Sequence, residues 1–404
     1  MYCKIKITSD TRIYNGLISN GMKKTFCLII FFFCFLFSSA LNINYTHAVY
    51  DPLSVPNNKI GIHILFPEEL HQAKELVNSS NGDWGYVTIP IQAGDKDLIK
   101  WQKFMDEAKK LHLIPIIRLA TEGDFFDQSS WRKPNDADVL DFANFLNSLK
   151  WPVKNRYVVV FNEVNRADEW EGQASPSEYA QILSYSTIVF KSKNKDFFII
   201  SSGMDNAAVT DGKNYNQFDY FEAMNTEVPG IFNQIDGFSS HSYPNPAFSQ
   251  PPNVKTAKSI TSYKYEKNLI NSLTSKNIPV FITETGWDQT IYSEDEVGEF
   301  FKTALNDTWI DPEIVAVTPF LLKSGLGPYQ KFTFINEGGQ KNGLFKALQE
   351  YPKTKGIPIQ VVNKKVLGSS ENEANLPVKD FSGKKESKEQ ENLEKAVKWL
   401  ILGS

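Results

Sequence analysis

Between about residues 57 and 352, short apolar runs alternate with longer stretches whose apolar residues recur every three or four positions. An apolar run bounded by polar or turn residues reads as a buried strand, and the longer spacing reads as a helix with one buried face. The strand candidates are "KIGIHILF" (59–66), "DWGYVTIPI" (83–91), "LIPIIRLA" (113–120) and "YVVVFNE" (157–163). They continue with "DFFIISSG" (196–203), "IDGFSSHSY" (235–243), "PVFITETGW" (279–287) and "EIVAVTPFLL" (313–322). Helix-period segments such as "DLIKWQKFMDEAKKLH" and "DADVLDFANFLNSLK" fall between most of them. In "SPSEYAQILSYSTIVFKSK" the helix opens on a capping serine, Ser175, with Glu178 three residues later.

Eight strands alternating with helices imply a parallel sheet covered by helices, and over this length most simply a (β/α)8 TIM barrel. A doubly wound open sheet is the competing architecture. It loses ground because no glycine-rich phosphate loop follows the first strand.

The ends read differently. From Met22, two lysines lead into an unbroken apolar run from Phe26 to Phe37 with small residues after it, the pattern of a secretory signal. Cleavage after Ala40 or after Ala48 fits, and the run is short against the roughly 20 residues of a membrane span. The expected organisation is a leader at 1–48, a barrel at 49–353, and a polar linker with a short terminal helix at 354–404. The expected location is secreted or cell-surface, with membrane attachment through an uncleaved leader as the alternative. Cys3, Cys27 and Cys34 all lie in the leader, so no disulfide, thiol nucleophile or cysteine metal site is available beyond it. A net charge of −4 with no basic stripe argues against a nucleic-acid partner.

In a barrel, catalytic groups sit at the C-terminal ends of the strands. Glu163, preceded by Asn162, falls there on strand four, and Glu284 on strand seven. His241 and Tyr243 fall at the end of strand six, and Arg118 near the end of strand three. Two carboxylates facing each other at roughly 5 Å serve a retaining glycosidase, one ionised to attack the anomeric carbon and one protonated to release the leaving oxygen. Arg118 is a candidate cation, and Tyr243 a candidate hydrogen-bond donor, for the nucleophile.

These residues resemble the retaining glycoside hydrolases of clan A, (β/α)8 barrels with catalytic glutamates on strands four and seven. The resemblance covers roughly residues 57 to 352 and rests on Asn162-Glu163, on "ITETGW" with Glu284, on "HSYP" with Tyr243, and on Arg118. It implies Glu163 as general acid/base, Glu284 as nucleophile, and Asn162 as a partner of the sugar 2-hydroxyl. Clan members commonly carry a Trp at the end of strand eight, where "AVTPFLLKSG" offers Phe320. Trp287 is a candidate sugar platform. Trp131 and Trp170 read equally well as platforms or as loop seals. His241 reads equally as a sugar contact or a buried structural histidine, His63 as a satisfied core histidine ahead of a lining of the pocket floor, and "NRADEWEG" (165–172) as a solvated loop ahead of a binder of sugar hydroxyls.

The function read from the sequence is hydrolysis of β-linked glycans by a two-glutamate double displacement. A transglycosylase using the same glutamates and a glycan-binding barrel without turnover are the alternatives. No cofactor and no metal are expected, and the partner is an oligo- or polysaccharide.

Overall fold

The computed structural model describes residues 49–123, 131–325 and 327–361. The expected leader at 1–48 and most of the tail, from 362 on, lie outside them. The apolar runs form eight parallel strands: β1 (Gly61–His63), β2 (Gly85–Gln92), β3 (Leu113–Ala120), β4 (Arg156–Val160), β5 (Phe197–Ser201), β6 (Gly237–His241), β7 (Val280–Glu284) and β8 (Ile314–Val317). Each is hydrogen-bonded to the next in chain order, and a parallel bridge from Ile60 to Val317 brings β8 back to β1. The sheet is therefore a (β/α)8 barrel, as expected.

The helix-period segments become α1 (Leu70–Val77), α2 (Leu98–Lys110), α3 (Asp136–Ser148), α4 (Pro176–Lys193), α5 (Gln217–Glu227), α6 (Ile231–Gln234), α7 (Ser262–Leu273), α8 (Glu294–Thr303) and α9 (Gly343–Glu350). Ser175 caps α4 as read from sequence, accepting from the Glu178 N–H, with Pro176 at the first helical position. Among the described residues no helix is long and apolar enough to cross a membrane.

Strand side chains alternate between two cores. Val158 and Val160 of β4 point outward into the main core beneath the helices. Tyr157 and Val159 point inward, joining Tyr86, Ile116, Phe198 and Phe281 inside the barrel. Higher in the interior come hydroxyls, with Thr88 bonded to Thr318 at 3.0 Å and Ser239 bonded to Thr283. At the C-terminal mouth the same inward register brings Arg118 after Ile114 and Ile116, and His241 after Ser239. The interior thus passes from aromatic to hydroxylic to charged. At the opposite end, residues 355–360 lie against the strand starts, with Gly356 N–H donating to Asp83 O and Lys154 N–H to Ile359 O.

Candidate active site

Strand β4 ends at Val160, and the chain leaves it through left-handed backbone at Phe161 (φ 66°) and Glu163 (φ 36°). Such conformations cost roughly 1–3 kcal/mol each in non-glycine residues and persist only where the surroundings impose them. Here Glu163 N–H donates to Gly203 O at 3.0 Å. Tyr179 from α4 donates to Val160 O at 3.0 Å and accepts from Ser202 N–H at 2.7 Å, tying the exit of β4 to that of β5. The strain turns the Glu163 carboxyl into the barrel mouth.

Glu284 is the last residue of β7, and its Oε2 accepts from Tyr243 Oη at 3.0 Å. His241, the last residue of β6, places Nδ1 2.9 Å from Glu163 Oε1 and 3.8 Å from Glu284 Oε2. One oxygen of each glutamate and the imidazole nitrogen all lie within 4.8 Å of one another. Both glutamates are largely buried, at 8% and 7% exposure. Gly203 makes this possible, because a Cβ there would stand 2.2 Å from His241 Cδ2.

Arg166 is the cation that pairs with Glu163, Nη1 to Oε2 at 3.1 Å. The same guanidinium is gripped by Asp168 through Nε (3.0 Å) and Nη2 (2.5 Å), and lies 3.9 Å from Asp205. Burial by itself pushes the Glu163 carboxyl up. The hydrogen bond from His241 and the charges of Arg166, His241 and Arg118 outweigh it and hold the group well below the usual carboxylate range. Burial lowers His241, but the Glu284 and Glu163 carboxylates raise it on balance. Glu169, beside Asn162, is pushed up to about 7 by burial and then by the charge of Glu163.

The cleft around these groups holds about 400 Å³ and has two unlike walls. Strand β3 supplies Arg118, and the segments after β3, β4 and β5 supply Trp131, Asn162, Arg166, Asp168, Glu169 and Asp205. Segments after β1, β6 and β8 supply Leu65, Tyr243, Phe248, Phe320, Tyr329, Lys331 and Phe332. The rings of this second wall pack edge-on, Tyr243 to Phe248 at 5.0 Å and Phe320 to Tyr329 at 5.3 Å between centroids.

Asn162, Glu163, Glu284, Arg118, Tyr243 and Phe320, predicted from sequence, line this cleft, and His241 lies beneath it in contact with Glu163. Asn162 Nδ2 is engaged with Glu169 Oε1 at 3.0 Å. Trp287 is a correction. It is 1% exposed, packs against Phe300, Phe301 and Trp309, and donates Nε1–H to Gln250 O, so it belongs to the core and offers no face to a sugar. Of the two ambiguous tryptophans, Trp131 lines the cleft. Trp170 is buried, with its Nε1–H donated to Glu178. His63 is fully buried 3.7 Å from Glu284, with both ring nitrogens lacking a hydrogen-bond partner, so it is not the satisfied core histidine expected. The segment 165–172 is a second correction, since it contributes Arg166, Asp168 and Glu169 to the wall. A dense charge run directly after a strand-end carboxylate was the signal that could have found them.

Glu163, His241 and Glu284 are close enough to share an ion. Arg166 and Tyr243, however, already take oxygens of the two carboxylates, and Arg166 and His241 bring positive charge to the place a cation would fill. The arrangement suits proton transfer and nucleophilic attack better than metal binding.

No family model matches the sequence, and no curated protein matches it. Solved structures do share the fold. A GH5_18 from Streptomyces cattleya in complex with Manb1-4GlcNAc superposes with a TM-score of 0.54 at 13% identity, over 73% of this chain and 80% of that one. A GH5_18 from Bifidobacterium longum subsp. infantis gives 0.51 at 13% identity, over 73% and 78%. A family 39 glycoside hydrolase from Bacteroides cellulosilyticus WH2 gives 0.50 at 14% identity over 74% of this chain, which spans 64% of that protein's length. The chain therefore has the barrel fold of glycoside hydrolases of known structure, consistent with the clan A resemblance, and no single family within that clan is assigned.

Proposed function

We propose that this protein is a retaining O-glycoside hydrolase acting on β-linked glycans, with Glu284 as nucleophile and Glu163 as acid/base. The observation that carries the reading is the approach of two largely buried glutamates, on the ends of strands four and seven, to within 4.8 Å. Retaining enzymes need about 5–5.5 Å, whereas inverting ones leave room for a water at roughly 6.5–9.5 Å. Tyr243 holds Glu284 Oε2 and leaves Oε1 to attack the anomeric carbon. Glu163 gives its proton to the departing oxygen, then takes one from the water that releases the glycosyl-enzyme. The glycone would lie over Glu284 against Phe320 and Phe332, and the leaving group on the side of Arg166 and Asp205. That charged leaving-group side supports hydrolysis over transfer, which would profit from an apolar acceptor side. The sequence's leader pattern supports export as part of the same proposal.

The ion pair between Arg166 and Glu163 favours the second reading, a barrel that binds glycans without turning them over. Incubating residues 49–404 with β-linked polysaccharides and aryl β-glycosides, beside Glu284→Ala and Glu163→Ala, separates the two. The hydrolase reading expects turnover by the parent and none by Glu284→Ala, with the β-anomer as first product by NMR. It also expects a loss of roughly 10²–10⁴-fold in Glu163→Ala on poor leaving groups. Binding without turnover on every glycan would overturn it.

A further inference from the structure

Acid catalysis needs a protonated Glu163, yet this carboxylate faces positive charge on several sides. Arg166 comes from its own loop, His241 from β6 and Arg118 from β3. The carboxylates nearby are Glu284 from β7, Asp205 after β5, and Asp168 and Glu169 on the loop itself, with the Tyr243 and Tyr329 hydroxyls facing from the second wall. Among the cations Arg166 differs in two ways. Its side chain is 38% exposed and lines the cleft, on the side where the proposed leaving group would lie. It also has alternative acceptors already in place: Asp168 holds it on two nitrogens, and Asp205 waits at 3.9 Å from the very nitrogen that touches Glu163.

We propose that Arg166 is a substrate-released latch on the proton donor, pairing with Glu163 before a leaving group enters and passing to Asp168 and Asp205 when one does. This rests on the hydrolase reading above. Entry of the leaving group displaces Nη1 from Glu163 Oε2, and Glu163 takes up one proton from solvent. That proton passes to the departing oxygen as the glycosidic bond breaks, which returns Glu163 to the carboxylate. In the second half-reaction Glu163 takes a proton from the attacking water. After product leaves, Arg166 re-pairs and that proton returns to solvent, so the cycle balances. Asp168 and Asp205 keep the charge of Arg166 compensated while it is away from Glu163, so release does not strand a guanidinium.

The test reads Glu163 in two ways. The first is its carboxyl ¹³C titration, assigned by difference against Glu163→Gln, which needs no turnover. The second is the pair of alkaline limbs, because kcat/KM reports the free enzyme and kcat the complex. In the parent the kcat/KM limb should lie below the kcat limb by about 1–3 pH units, the usual effect of one close opposite charge. Arg166→Met should raise the titration of Glu163 and bring the kcat/KM limb up to the kcat limb. Asp168→Asn, which loosens the competing grip, should move the kcat/KM limb down. Coincident limbs in the parent, or equal movement of both limbs in Arg166→Met, would refute release. An unmoved Glu163 titration in Arg166→Met would refute the pairing itself. Absence of any turnover by the parent would instead defeat the hydrolase reading, and the release step with it.

Discussion

Gly203→Ala offers a measurement of what the contact between His241 and Glu163 is worth, without altering either residue. The added methyl would sit 2.2 Å from Cδ2 and 2.5 Å from Nε2 of the imidazole, against ordinary contacts of 3.4 Å or more. The ring must recede by about 1 Å, and the 2.9 Å bond from Nδ1 to Glu163 Oε1 then exceeds hydrogen-bond range. A hydrogen bond to a charged group contributes about 1.5–3 kcal/mol, so kcat/KM should fall roughly 10- to 150-fold. Loss of this bond also removes one cause of the depressed Glu163 carboxyl, so the alkaline limb of kcat/KM should move up. Overpacking costs stability as well, about 1–3 kcal/mol, or a few degrees in Tm for a barrel of this size. Initial rates across pH, run well below the variant's Tm, separate the two effects. A folded variant with lowered Tm but unchanged kcat/KM would refute the claim that this bond serves turnover.

Other outcomes follow from the same geometry. Tyr243→Phe keeps the ring contacts with Phe248 and Phe332 but loses the donor to Glu284, so it should fold normally and lose about 10- to 100-fold in kcat/KM; near-parental rates would remove Tyr243 from the mechanism. Trp287→Ala should destabilise by about 3–5 kcal/mol in denaturant melts, with KM unchanged wherever the protein is folded, because the ring meets core and not cleft. Glu266, fully buried behind His241, is pushed up to about 7 by burial despite the hydrogen bond it accepts from Ser240. Its raised folded value means that the protonated form stabilises the fold at low pH and that this is lost as pH rises through about 7. The Tm difference between Glu266→Gln and the parent should therefore grow in the variant's favour between about pH 4.5 and 7; a constant difference would contradict the assignment.

The strand candidates and the joint placement of Glu163 and Glu284 were legible because buried parallel strands are continuous apolar runs whose polar interruptions stand out. Strand ends were less legible. The expected fourth strand ran to 163, but its pairing with β5 stops at Val160, and Glu163 rides on left-handed backbone that no apolar pattern encodes. Trp287 was misjudged because position after a strand-end glutamate says nothing about direction, and the chain beyond Glu284 carries this ring back over α8. Arg166 was hidden for another reason. A charge-dense loop looks the same from sequence whether its charges face solvent or one another, and only folding brings Asp205 and Glu163 to its two sides.

The segments after β3 and β4 share one anchor on α4. Glu178 accepts from Lys133 on one side and Trp170 on the other, while Trp131 N–H donates to Asp168 O and Trp131 O accepts from Glu171 N–H. The charged wall is thereby stapled at several points along its backbone, and shifting it as a lid would break these bonds together. Any excursion of Arg166 is then confined to rotation about its own side-chain torsions. Under the latch proposed above, Glu163 would exchange its ionic partner without any movement of the main chain.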